Sequence, residues 1–78
     1  MQWVFVQIKC ELGHTYEVAA KLGDKADPPE LHSTSGAYDL MAKFRIPDGE
    51  DIGRFIAREV HSVPHIRDTF TIMAFKAF

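Results

Sequence analysis

The sequence predicts an α+β domain with the element order βαββαβ, and three observations carry that expectation. Residues 3–10 and 67–75 alternate large side chains with period two, as strands do. Residues 15–22 and 52–60 space their apolar side chains as helices do, and a glycine turn in mid-chain joins two further alternating segments.

In the first strand Val4, Val6, Ile8 and Cys10 share one face, and Trp3, Phe5, Gln7 and Lys9 share the other. The second face is more apolar than a solvated one needs, so it is expected to meet another subunit. Gly13 breaks the strand. Val18, Ala19 and Leu22 then recur at helical spacing, with Gly23 as the expected C-cap, and the two prolines within residues 24–29 forbid regular helix. Residues 30–35 read as a second strand, Gly36-Ala37 as a tight turn, and residues 39–46 as a third strand with Leu40, Ala42, Phe44 and Ile46 opposite in phase to Met41, Lys43 and Arg45. So short a link makes these strands antiparallel neighbours.

After Pro47, the acidic run Asp48, Glu50 and Asp51 signals a helix start, with Asp48 as the expected cap. Ile52, Phe55, Ile56 and Val60 form the helix's apolar stripe, and Val63-Pro64 ends it. In the last strand Phe70, Ile72 and Ala74 alternate with Thr69, Thr71, Met73 and Phe75. One hairpin between two right-handed crossovers gives the ferredoxin-like arrangement, an antiparallel sheet with two helices on one face. The other face is left bare, and Trp3, Phe5, Met73 and Phe75 are expected on it.

A chain of 78 residues forms one domain, residues 1–78, because a second core would have nothing to fill it. At this size burial and chain entropy nearly balance, so a staple or self-association is needed. Cys10 is the only cysteine and no Cys/His spacing resembles a zinc site, which leaves oligomerisation. A net charge of −2 with interspersed signs gives no basic footprint for direct nucleic-acid binding. No leader or membrane span is visible, so a cytoplasmic protein is expected.

The sharpest local feature is Thr34-Ser35-Gly36-Ala37-Tyr38-Asp39. Backbone N–H groups around Gly36 can receive a carboxylate, while Asp39 or the Thr34 hydroxyl can accept from an ammonium group, so the turn suits a zwitterion. The plainer reading is a hairpin whose Asp39 bonds local backbone. Thr69 and Thr71 share a strand face and can offer hydroxyls to a ligand, although threonine is also simply a good strand former. His61 and His65 have a helical ligand spacing, but Pro64 interrupts it, and no metal or cofactor is expected. Neither Ser33 nor Ser62 lies in a nucleophile motif.

The segments Ile8-Lys9-Cys10-Glu11-Leu12-Gly13, Ser33-Thr34-Ser35-Gly36-Ala37-Tyr38-Asp39-Leu40 and Ile66-Arg67-Asp68-Thr69-Phe70-Thr71-Ile72 carry a resemblance to a known family. The chain resembles, over nearly its whole length, the effector-binding domain of leucine-responsive/AsnC-type transcriptional regulators. The resemblance implies sheet-to-sheet pairing into a dimeric α/β barrel and further assembly of dimers. It also implies a small effector, typically an amino acid, at the glycine turn between dimers. Carried over by position, the binding residues are Thr34, Gly36, Ala37, Tyr38 and Asp39, with Thr69 and Thr71 as further contributors. Regulators of this family carry an N-terminal helix-turn-helix that this sequence does not show, so a stand-alone effector domain is expected, with a full-length regulator as a candidate partner. Two other functions remain open: a small enzyme on a dimeric α+β barrel, and an assembly adaptor that binds no small molecule.

Overall fold

The computed structural model describes residues 2–78. Strands β1 (Gln2–Cys10), β2 (Glu30–Ser33), β3 (Leu40–Ile46) and β4 (Ile66–Ala74) form one antiparallel sheet in the order β2-β3-β1-β4. Helix α1 (Thr15–Gly23) follows β1. Helix α2 (Ile52–Ile56) follows β3 and runs on into a π-helical turn over Ala57–His61. The order βαββαβ and the sheet topology are those of the ferredoxin-like fold.

β1 is central because it alone is paired along nearly its whole length on both sides. Its inward residues Val4, Val6, Ile8 and Cys10 meet Leu40, Ala42, Phe44 and Ile46 of β3, and all of them are buried. Val18 and Leu22 of α1, Phe55 and Ile56 of α2, Val60 of the π turn and Val63 close this core from one side. Phe55 meets Phe44 edge-on, with ring centroids 5.6 Å apart. The apolar stripe expected for the second helix therefore reaches the core, but through a change of helical pitch. A π turn adds a residue per turn and lets Val60 follow Phe55 and Ile56 inward.

Several local expectations are corrected. Asp51, not Asp48, caps α2: its carboxylate accepts from the N–H of Arg54 at 2.9 Å, three residues on, which is the reach an N-cap side chain has. Gly23 is the last residue of α1 rather than its cap, and the following Asp24 stays right-handed with its N–H bonded to the carbonyl of Ala20. β2 stops at Ser33, because from Thr34 the chain turns in to bond Asp39.

The bare face also differs from expectation at two positions. Directly paired antiparallel residues point to the same side. Met73 pairs with Val4, Thr71 with Val6 and Thr69 with Ile8, so all three lie on the helix side of the sheet. Phe75 lies beyond the end of β4. The bare face instead carries Trp3, Phe5, Gln7 and Lys9 of β1, Phe70, Ile72 and Ala74 of β4, and Met41, Lys43 and Arg45 of β3. It is graded. The β1–β4 half is apolar around Trp3, Phe5, Phe70 and Ile72, with Phe70 54 % and Ile72 41 % exposed, turning polar at Lys9 and Asp68, and the β2–β3 half is charged. Lys43 and Arg45 sit over the Trp3 ring at 4.4 and 5.6 Å and mark the seam between the halves.

The β1–β4 ladder slips once, between Lys9 and Cys10, where Arg67 is left over. The bulge rephases β4. Ile66 turns to the core beside Cys10, and the residue before it, His65, stands at the head of the strand.

Ile8 is fully buried and paired on both sides, to Leu40 and Thr69, so Ile8→Ala should lower unfolding stability by about 2–5 kcal/mol. Urea unfolding of the two proteins side by side measures this.

Candidate functional site

The turn between β2 and β3 is built on the end of β1. The N–H of Asp39 donates to the carbonyl of Ile8 at 2.9 Å, and the N–H of Cys10 donates to Oδ2 of Asp39 at 2.8 Å. Asp39 thus grips β1 on both sides of Lys9. Across the turn, the N–H of Thr34 donates to the carbonyl of Asp39 at 3.0 Å and its hydroxyl donates to the carbonyl of Tyr38 at 3.2 Å. Gly36 at the tip has φ +94°, where a side chain is strained, and no atom lies within 4 Å of where a Cβ would stand. The result is an open glycine tip on a base held by four hydrogen bonds.

One oxygen of Asp39 is engaged by backbone. The local-bond reading of Asp39 is met in a different form, since the partner is the neighbouring strand rather than the turn itself. The ring of Tyr38 reaches across β1 to Phe70, with centroids 6.5 Å apart, so the turn borders the apolar half of the bare face. Thr69 and Thr71 lie at the same end of the sheet but on the helix side, away from that ring pair. Thr34, Gly36, Ala37, Tyr38 and Asp39 are therefore brought together within one chain, and the two threonines face elsewhere. Thr69 Oγ1 is 3.2 Å from Nε2 of His61.

A hollow of about 590 Å³ lies at the opposite end of β1, between Trp3, Phe5, Lys43 and Phe75. At 3.3 Å per residue that end is roughly 20 Å from the turn. A shallower depression of about 380 Å³ runs past His61, Arg67, Asp68 and Thr69. His61 faces Thr69 there, while the hydroxyl of its neighbour Ser62 donates to the carbonyl of Arg58, so the pair is not arranged as base and nucleophile. His32 points to Glu30, 3.3 Å away. Burial pushes the Cys10 thiol above its ordinary pKa, against an opposing hydrogen bond with Thr15, and the Asp39 carboxylate adds to the rise. Cys10 is a packing residue.

The sequence weighed His65 only with His61 and set that pair aside at Pro64, whereas the fold brings His65 to His14. The two rings stack with centroids 3.8 Å apart and planes within 9°. Glu11 Oε1 lies 3.0 Å from Nδ1 of His65, and this contact holds the Glu11 carboxyl below the usual carboxylate pKa. The Glu11-x-x-His14-x-x-Glu17 spacing was the available signal, but the fourth member is 54 residues further along than Glu11.

The Lrp/AsnC ligand binding domain model matches residues 3–78. The chain belongs to that family. It is 32 % identical over 72 residues to the HTH-type transcriptional regulator FL11 of Pyrococcus furiosus, and 29 % identical to the regulator of the same name from Pyrococcus horikoshii. Each match covers 92 % of this chain and 47 % of the regulator, so the chain spans about half the length of the curated relatives it matches. The solved structure of FFRP-DM1 superposes with a TM-score of 0.86 at 28 % identity, covering 96 % of this chain and all of the other. The relatives are transcriptional regulators, and this Lrp/AsnC domain is of their ligand-binding regulatory type. Among the described residues no helix is long and apolar enough to cross a membrane.

Because Asp39 Oδ2 accepts the Cys10 N–H, Asp39→Ala strands that donor and should lower stability by about 1–3 kcal/mol. Asp39→Asn keeps an acceptor oxygen and should recover most of the loss. Thermal melts of both variants decide whether the carboxylate is a structural clamp.

Proposed function

We propose that this Lrp/AsnC domain binds a small zwitterionic effector, an amino acid, at the turn of residues 34–39 and works as a dimer paired through its bare sheet. It acts in the cytoplasm, alone or together with a full-length regulator. The observation that carries the effector reading is the open tip at Gly36 on a base locked to β1. A carboxylate meets unhindered backbone at the tip, and the ammonium group meets the second oxygen of Asp39 and the lone pairs of Thr34. A site that is already ordered spares the ligand the entropy of ordering it.

The exposed Trp3, Phe70 and Ile72 support the dimer, since a patch of this kind on a small domain loses less to water when a second copy covers it. Copies of one chain pair by two-fold symmetry, which lays the apolar half of one sheet on that of the next. Coupling then follows if the effector binds one assembly state better than another. An amino acid is favoured over a catalysed substrate because the turn offers paired acceptor and donor groups, and the histidines stand away from it.

Calorimetric titration with each common amino acid, with light scattering on the same samples, tests the reading. Saturable heat is expected for at least one amino acid, weakened about tenfold or more in Asp39→Asn, which keeps the turn but loses a charge. No heat and no change in size with any of them would leave the adaptor or the enzyme. Separately, Ile72→Glu at the centre of the apolar half should convert the dimer to folded monomer in light scattering, and an unchanged particle size would remove the sheet from the interface.

A further inference from the structure

Glu11, His14 and His65 each present one ligand atom within 4.8 Å of the others, with Glu17 alongside. We propose that these residues form a binding site for a zinc-like divalent transition metal, which ties the β1–α1 connection to the head of β4. The inference stands independently of effector binding at the turn.

The backbone holds the donors in place from both sides. The N–H of Glu11 donates to the carbonyl of His65 at 2.9 Å, and the N–H of His14 donates to the carbonyl of Glu11 at 3.1 Å. The side chains add to this. His65 Nε2 lies 3.8 Å from Glu17 Oε2, and His14 Nδ1 lies 3.3 Å from Glu17 Oε1. The approach of Glu17 to His14 Nδ1 is off the direction of a hydrogen bond, so that nitrogen is shielded from water without a hydrogen-bond partner. His65 has φ +69°, the one non-glycine residue in the left-handed region among those described. A non-glycine residue in that region is uncommon, and here its ring stands against His14 and the Glu11 carboxylate.

Two imidazoles and a carboxylate are the ligand set of zinc centres that keep an open fourth position, and they do not suit calcium or magnesium, which take oxygen donors. Tetrahedral bonds of 2.0–2.1 Å place donors about 3.4 Å apart, so the present spread needs modest rotamer closure and a tilt of the stacked rings. The ligand-bearing side chains are partly exposed and free to make it. Glu17, 3.3 Å from Nδ1 of His14 and 3.8 Å from Nε2 of His65, stands where an outer carboxylate can bond a ligating ring once the rings turn to the metal. A metal here joins positions 54 residues apart in a chain whose one described cysteine is free. That is the staple a domain of this size otherwise lacks.

The test is titration of the whole chain with zinc chloride, followed by calorimetry and melting, and with cobalt(II) for its visible spectrum. One metal per chain, a melting temperature raised by several degrees in excess zinc, and a cobalt spectrum of low coordination number are expected. His65→Gly removes one ligand while suiting the local φ, so it should fold as well as the parent. It should nevertheless lose roughly 100-fold or more in zinc affinity, beyond what loss of an outer hydrogen-bond partner alone gives. His14→Ala should do the same. Absence of saturable zinc uptake, or equal uptake in the His14→Ala/His65→Gly double variant, would overturn the proposal.

Discussion

The rest of the structure depends on β1 being paired on both sides and buried on its inner face. A central strand has no free edge, so its register dictates the placement of both neighbours, and through them of the turns at its ends. Val4, Val6 and Ile8 admit no exposure at all, and a one-residue slip would bring Phe5 and Gln7 into the core. That penalty holds the ladder in a single alignment.

Both candidate sites hang from the last residues of this strand. Asp39 bonds Ile8 and Cys10, and Glu11, the next residue, bonds His65 through its N–H and its carboxylate. The glycine turn and the histidine cluster are thus two neighbours on one rigid support. Loops placed this way keep their geometry even though their own residues are exposed, which is how a small domain positions a ligand site without a large core.

The bare face answers to a different constraint. Two short helices cover one side of the four-stranded sheet, and the described residues hold no further element for the other. That side is graded, with Trp3, Phe5, Phe70 and Ile72 at its apolar centre and charged residues across β2 and β3, the pattern of an apolar contact core with a polar margin. The same grading leaves Tyr38 and Phe70 at the border between the glycine turn and the apolar part of the face.

The sequence by itself determined the element order, the inner face of β1 and β3, and the glycine turn, because each is set by local periodicity or by a residue whose backbone freedom is local. It also carried the family resemblance in the Gly36-x-Tyr38-Asp39 turn. Tertiary structure alone decided the phase of β4, since the bulge at Arg67 that puts Met73 on the helix side depends on pairing with β1. It decided the cap of α2, where Asp51 and Asp48 are chemically equal and only the helix start separates them. It decided the partner of Asp39, which lies on another strand, and the partner of His65, which is 51 residues away as His14. These contacts are non-local, and a residue's type and spacing carry no information about which distant segment the closed chain will set beside it.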